Sequence, residues 1–205
     1  MKVLAPLLLF ISSFATAQLD GNSEQINSDT NPKYPLEAGL VTYSISGDGS
    51  GTSTLHFDRN GWRVLESRDL TMTRYGISSQ ERTVELTDGD YTYKANLDAN
   101  TGSKKYDKNW SRLLNYKTKG ETIEAIMTSK GGTLSGQEAL LERTCNVWVF
   151  NTGTTLEIWE WEGIPLKVKK KLPGISYEVT ATSIEVITEI PEEHLTSLTE
   201  IDWVN

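Results

Sequence analysis

The chain is short of the residues from which most catalytic and metal sites are built. Its 205 residues include one cysteine, Cys145, and two histidines, His56 and His194. One cysteine cannot form an internal disulfide, and two distant histidines do not supply the three or four ligands of a zinc site. No nucleophile elbow, phosphate-binding loop or zinc-protease motif is present either. The sequence therefore predicts a protein that is not an enzyme and that holds no metal and no cofactor.

Long apolar runs and excess positive charge are also missing from most of the chain. After the first residues, no stretch is long and apolar enough to span a bilayer as a helix. The formal net charge of −8 argues against a nucleic-acid partner. We therefore expect a monomer with no transmembrane segment and no affinity for nucleic acid.

The beginning of the chain has the pattern of a secretory signal peptide over residues 1–17. Lys2 is followed by a mostly apolar run from Leu4 to Phe14, and Ala15-Thr16-Ala17 has the small residues of a cleavage site. An uncleaved amphipathic anchor is the alternative. No cysteine follows the cleavage site, so a lipid anchor is not expected. The pattern predicts an exported, periplasmic protein.

The rest of the chain divides into a polar, flexible segment at residues 18–34 and a single domain at residues 35–205. Alternating apolar and polar residues, as in Leu40 to Ser46, predict about ten short strands. Turn signals such as Asn60-Gly61 join these strands into antiparallel hairpins. After Ala181 the apolar phase shifts to Ile184 and Val186, which predicts a β-bulge in the strand that contains them. Short helices are predicted at Ser111–Leu114, Thr122–Met127 and Glu192–Leu198. The fold class is mainly β, with a strongly curved antiparallel sheet or incomplete β-barrel and short helices in or over its concave face.

The most aromatic stretch runs from Cys145 to Lys171 and is predicted to form the centre of the sheet. The two predicted strands on either side of Asn151-Thr152-Gly153 carry apolar residues on both faces. A sheet with one face in solvent has apolar residues on its other face only. Core packing explains this pattern, and so does a hydrophobic ligand cavity. The candidate cavity residues are Trp148, Phe150, Trp159 and Trp161.

A basic strip follows the aromatic stretch. Lys167, Lys169 and Lys171 lie on one face of a predicted strand in an otherwise acidic protein. Lysines that protect a solvated edge strand are one interpretation. Docking to anionic headgroups or to an acidic partner is the other.

The three residues Cys145, His56 and His194 have plain structural interpretations. Cys145 shares its alternation phase with Val147 and Val149, which favours a small buried side chain over a reactive thiol. The two histidines are expected on the surface.

Three segments resemble a known superfamily. The first two are DRNGWRVLES and LTDGDYTYKANLDANTGSKK. The third is GGTLSGQEALLERTCNVW followed by WEWEGIPLKVK. Together these are similar to the LolA-like superfamily of periplasmic lipoprotein-sorting and carrier-like proteins, over about Pro35 to Leu198. Arg143-Thr144 departs from that pattern, where a Gly-aromatic pair is expected.

The resemblance implies an incomplete β-barrel whose concave face holds the acyl chains of a lipid or lipoprotein. The arginine that gates this cavity in the characterised relatives matches no residue here. We therefore expect a periplasmic carrier or binding protein for lipid-like ligands. The alternative is a ligand-free scaffold that binds an envelope protein through the same fold.

Overall fold

A computed structural model of the protein describes residues 32–106, 119–196, 198–199 and 201–204. The predicted signal peptide and the predicted helix at Ser111–Leu114 lie outside the described residues. Most of the predicted flexible segment at residues 18–34 lies outside them as well.

The described residues form one sheet of twelve strands and two short helices. The first six strands are β1 (Gly39–Gly47), β2 (Gly49–Asp58), β3 (Arg63–Arg74), β4 (Ile77–Asp88), β5 (Tyr91–Asn96) and β6 (Thr101–Tyr106). Helix α1 (Lys119–Ser129) then precedes β7 (Gly132–Leu140), β8 (Arg143–Phe150), β9 (Thr155–Trp161), β10 (Ile164–Leu172) and β11 (Ile175–Val186). Helix α2 (Glu192–Thr196) and β12 (Asp202–Val204) end the described chain, and a 3₁₀ turn (Arg59–Gly61) joins β2 to β3.

The strand order is β12-β6-β5-β4-β3-β2-β1-β11-β10-β9-β8-β7. All pairs are antiparallel except β12 with β6, which is parallel. Strands β12 and β7 end the order without pairing to each other, so the sheet is not closed. The predicted fold class is confirmed, with twelve strands in place of the expected ten.

The predicted turns and the predicted bulge are present. Asn60 and Gly61 both adopt positive φ, the conformation that a tight turn requires and that Asn and Gly tolerate best. On β11, the register against β1 jumps from Ala181 to Ser183, which leaves Thr182 as the bulged residue. The change of apolar phase in the sequence therefore marks a real bulge.

Helix α1 lies on one face of the sheet. Its Ile123 and Met127, four residues apart, pack against Trp148 and Phe150 of β8. The helix ends where Gly131, with a φ of 82°, donates its N–H to the carbonyl of Thr128. This confirms the predicted helix at Thr122–Met127 and places it on the sheet.

The face under α1 is concave. Glu85 on β4 and Ile158 on β9 line the same cavity beneath the helix. Six strand spacings separate β4 from β9 in the sheet order, about 30 Å on a flat sheet. The sheet therefore curls around α1, and we call the face that carries α1 the inner face.

The described residues after β11, which we call the C-terminal segment, cover the sheet face opposite α1, the outer face, at β3, β4 and β5. The segment's apolar residues Ile190, Leu198 and Ile201 pack with Leu65 and Val84 of the sheet. The backbone N–H of Ile190 also donates to the buried carboxylate of Asp58 at 3.2 Å. Burial of these apolar residues stabilises the C-terminal segment against the sheet, where it adds β12 at the edge.

The folded domain includes two residues that the sequence assigns to the flexible segment. The backbone N–H groups of Lys33 and Tyr34 both donate to the carbonyl of Asn60 at 2.9 Å. The Tyr34 ring packs edge-on against Phe57 at 4.9 Å. Lys33 and Tyr34 therefore pack with the folded domain, and the local polarity of the segment gives no sign of this long-range contact.

Candidate functional site

A cavity of about 300 Å³ lies on the inner face beneath α1. Its apolar lining comes from strands on both sides of the curl and from the helix. These residues are Val64, Ile123, Ile126, Met127, Ile158 and Pro165. Lys33, Tyr34, Glu66, Glu85 and Lys130 add polar and charged groups. The volume lies at the lower end of the range of roughly 300–1,000 Å³ for small-ligand sites.

A second hollow of about 520 Å³ follows the inner face of β3 to β6. It shares Glu66 and Glu85 with the cavity beneath α1, so the two hollows adjoin. Its other lining side chains include Arg68, Glu81 and Lys94. We call the inner side chains of β3, β4 and β5 around these two hollows the charged wall. The site therefore has an apolar end under the helix and a charged end on the sheet.

Strand register places the charged wall. Glu66 on β3 lies directly opposite Glu85 on β4, and Glu85 lies opposite Lys94 on β5. Directly opposed residues share a face, with Cβ atoms about 5 Å apart. Arg68 forms an ion pair with Glu66, and Lys94 Nζ lies 2.8 Å from Glu85 Oε2. The two carboxylates are thus each matched with a cation of the same wall.

Two further lysines face this wall from across the curl. Burial lowers the pKa of Lys130. The charge of Glu85 opposes this effect, and the charge of Lys94 adds to it. Burial likewise lowers the pKa of Lys170, and Arg68 adds to the effect. The surface of Lys130 is open to the cavity, but the surrounding protein limits its hydration. The inner face therefore concentrates cations that repel one another.

Lys33 lines the cavity beneath α1. It is buried, and burial together with the charge of Lys130 lowers its pKa to about 7. Its Nζ lies 5.8 Å from the centre of the Tyr34 ring and 5.5 Å from that of Trp62. Contact with aromatic faces compensates in part for the hydration that the ammonium loses.

The structure separates the four aromatic residues that the sequence grouped as one cavity. Trp148 and Phe150 lie on the inner face, where they pack under α1. Trp159 pairs with Val147, and Trp148 pairs with Ile158, so Trp159 is on the opposite face from Trp148. Trp161, two residues after Trp159, shares its face. Trp148 and Phe150 are therefore together, and Trp159 and Trp161 lie on the other side of the sheet.

Trp148 is held by a buried carboxylate. Glu160 is 0% exposed and accepts from Trp148 Nε1 at 3.4 Å. It also accepts from Asn146 Nδ2 at 2.8 Å and from the backbone N–H of Gly163 at 2.5 Å. Three donors satisfy this carboxylate, which ties β8 to the turn after β9.

The lysine strip lies on the same face as Trp159. Lys167 and Lys169 both lie over its ring, at 4.8 and 4.9 Å from the centre. Lys167 pairs with Glu178 at 3.0 Å, and Lys169 pairs with Glu157 at 2.7 Å. Lys171 is exposed next to them. Two of the three lysines are thus neutralised by partners on neighbouring strands.

The expectation for one histidine is wrong. His56 is buried, and its ring lies 4.5 Å from that of His194, which is exposed on α2. The C-terminal segment covers His56 on the outer face, which no local pattern shows. Cys145 is buried as predicted, and burial raises the pKa of its thiol.

The described residues contain neither a metal-binding cluster nor a membrane-length helix. No group of three or more His, Cys, Asp or Glu residues in these ranges is placed to hold a metal ion. No helix among them is long and apolar enough to cross a bilayer.

The charged wall was not predicted from the sequence. Glu85 and Lys94 alternate with apolar residues, and Glu66 and Arg68 lie in a largely polar run. Charged residues in such patterns are expected to face solvent. The sequence does place these residues on neighbouring hairpin strands, and pairing of those strands puts the charged side chains on one face. Whether that face is concave depends on strands far away in sequence.

Comparisons with known proteins give only weak structural similarity. No family model matches the sequence, and no curated protein does. An uncharacterised conserved protein from Thermus thermophilus is similar in structure, at 12% identity and a TM-score of 0.48, over 85% of this chain and 93% of that one.

Two named proteins are similar as well. MucB matches at 14% identity and a TM-score of 0.41, over 87% of this chain and 63% of its own. LprF from Mycobacterium bovis matches at 9% identity and a TM-score of 0.35, over 80% of this chain and 92% of its own. Values this low assign no family, so the LolA-like resemblance stays a prediction.

Proposed function

We propose that this protein is an exported carrier or binding protein that holds one amphiphilic, lipid-like ligand on the inner face of its curved sheet. One observation supports this function above the others. A hollow beneath α1 has an apolar lining at one end and adjoins the charged wall at the other. An amphiphile has the same division into an apolar and a polar part.

The apolar end supplies the affinity for the ligand. Each buried CH₂ group contributes roughly 0.8 kcal/mol before the costs of binding, so a few methylenes under α1 are sufficient for measurable affinity. Ile126 and Met127 of the helix and Ile158 of the sheet line this part of the cavity. Acyl chains of lipids or lipoproteins have the required chemistry.

The predicted aromatic residues take different roles in this proposal. Trp148 and Phe150 hold α1 in place as the roof of the cavity, because they pack against Ile123 and Met127. Trp159 lies on the face away from the cavity and contributes to packing with the lysine strip. We therefore shift the proposed ligand contacts from the tryptophans to the residues beneath the helix.

The test is uptake of a fluorescent fatty-acid probe by the purified mature protein. Ile126→Trp fills the space beneath α1 and is expected to reduce uptake at least tenfold. The matched control is Val186→Trp, which adds the same bulk at an exposed position on β11. Thermal unfolding of both variants separates loss of binding from loss of folding.

A ligand-free scaffold is the second candidate, favoured by the packed cluster of Ile123, Met127, Trp148 and Phe150 under α1. That cluster fills part of the inner face and leaves less room for a ligand. A wild-type protein that takes up no probe, and that shows a bare mass in native mass spectrometry, would support the scaffold and contradict the carrier. A co-purifying mass of lipid size would do the reverse.

A further inference from the structure

We propose that the ligand's headgroup is anionic, and that it binds between the charged wall and Lys130 and Lys170; this inference rests on the proposed function. The headgroup carries a phosphate or a carboxylate. Such a group accepts charge-assisted hydrogen bonds from several ammonium and guanidinium groups at once.

The curl of the sheet brings these cations together. Arg68 on β3 and Lys94 on β5 belong to the charged wall, which faces inward. Lys170 on β10 lies opposite Tyr177 on β11. The strand register from β11 across β1 and β2 to β3 places Tyr177 and Arg68 on the same, inner face. Lys130 lines the cavity just after the end of α1. Four segments distant in sequence thus place their cations around one hollow.

The charges around the hollow do not balance. Among the described residues, four cationic side chains and three carboxylates face it, without Lys33, whose pKa is about 7. The cations are Arg68, Lys94, Lys130 and Lys170. The carboxylates are Glu66, Glu81 and Glu85. The whole chain carries a net charge of −8, so this local positive excess runs against its composition.

The two lysines across the curl are the ones without a matching carboxylate. Glu66 and Glu85 form ion pairs with Arg68 and Lys94. Among the described residues, neither Lys130 nor Lys170 has a carboxylate within ion-pair distance. Both also have a lowered pKa, since burial and neighbouring cations disfavour their charged forms. An anion between them would supply the missing partner.

The lysine strip is a poorer headgroup site by the same reasoning. Lys167 and Lys169 already pair with Glu178 and Glu157, and they lie away from the apolar cavity. A headgroup bound there could not place its chain under α1. The site on the inner face offers both the charge and the adjoining apolar space.

The experiment compares two lysophospholipids with the same acyl chain, below their micelle-forming concentrations. Lysophosphatidylglycerol is anionic, and lysophosphatidylcholine is zwitterionic. We expect the anionic lipid to bind the wild type about tenfold more tightly, a difference of about 1.4 kcal/mol. Both lipids carry a phosphate, but the cations of the site repel the choline ammonium of the zwitterionic lipid. Glycerol phosphate, which lacks the chain, is the third probe and is expected to bind far more weakly.

Two variants identify the cations. Lys130→Gln combined with Lys170→Gln is expected to abolish the preference for the anionic lipid, because the anionic lipid loses more affinity than the zwitterionic lipid, whose phosphate loses the same contacts but whose choline is no longer repelled. Lys171→Gln, at an exposed position outside the site, is the matched control and should keep the preference. Thermal unfolding confirms that each variant is folded.

The outcomes separate this inference from the proposed function. Equal binding of both lysolipids would overturn the anionic headgroup and leave the carrier function standing. No binding of either lysolipid would overturn both. Glycerol phosphate that binds as tightly as the anionic lipid would support the anion site and contradict an acyl-chain carrier. A preference that survives in the double variant would place the headgroup elsewhere and so contradict the site.

Discussion

The same three strands, β3 to β5, build two very different surfaces. On their outer face, Leu65, Val84 and Tyr93 are buried with the apolar residues of the C-terminal segment. On their inner face, the alternate residues Glu66 and Lys94 line a hollow. Neighbouring residues of one strand thus belong to a filled core and to an open, charged cavity.

The difference indicates how stability and binding are divided in this molecule. The apolar residues buried on the outer face contribute hydrophobic free energy to folding. The charged groups of the inner face line an open hollow and pair with one another, so they contribute little to folding. We therefore expect substitutions on the outer face to change stability and substitutions on the inner face to change binding.

The largest expected effect is on the outer face. Leu65 is 0% exposed, so Leu65→Ala should lower the free energy of unfolding by about 2–5 kcal/mol. Thr83→Ala, on the inner face of β4, should change it by less than about 0.5 kcal/mol. Urea denaturation measures both values. Similar losses in the two variants would remove the distinction between the faces.

The next effect concerns a buried cation of the inner face. The pKa of Lys33 is about 7 in the folded protein, below its ordinary value of 10.5. Between these values the unfolded chain binds more protons, so the free energy of unfolding rises with pH, by at most about 1.4 kcal/mol per pH unit. Lys33→Met should flatten this slope between pH 7 and 9, measured by urea denaturation. Lys171→Met should leave it unchanged, and an equal slope in Lys33→Met would show that Lys33 is ordinarily hydrated.

A smaller pH effect of a related kind is expected on the outer face. Burial and the neighbouring His194 lower the pKa of His56. Below about pH 6.5, the ordinary pKa of histidine, the unfolded chain therefore binds more protons than the folded protein. The free energy of unfolding consequently falls as the pH falls from about 6.5 toward the pKa of His56 in the folded protein. His56→Gln should reduce the loss between pH 7 and 5 in thermal unfolding. An unchanged acid slope would mean that other groups account for it.

The smallest effect is expected on the lysine strip. Lys169 pairs with Glu157, both side chains are partly exposed, and such pairs contribute roughly 0.2–1 kcal/mol. Lys169→Gln should therefore cost less than about 1 kcal/mol and leave lysolipid binding unchanged. Weaker binding of the anionic lipid in this variant would show that the strip, and not the inner face, receives the headgroup.

Much of the fold could be predicted from local patterns. The period of two and the turn residues indicated most strands, the Asn60-Gly61 turn and the bulge at Thr182. Strand β12 was missed, because three residues paired in parallel at a sheet edge leave little pattern. The buried position of His56 was missed because a segment more than 130 residues later covers it.

The candidate site could be predicted only in part. The alternation within each strand did not show that Trp148 and Trp159 lie on opposite faces, so the sequence grouped them in one candidate cavity. It did not show that only Trp148 and Phe150 face α1. It also gave no reason to connect Lys130 and Lys170 with Glu66, since nothing within a strand indicates which face curves inward.

The sequence by itself determined the β-rich class, the hairpin order and the alternation of each strand, because all three depend on residues close together in the chain. The tertiary structure alone decided which face became concave, what covered each face and which charges met. Those outcomes depend on contacts between strands such as β4 and β9, which are far apart in sequence and adjoin one cavity only after the sheet has curled.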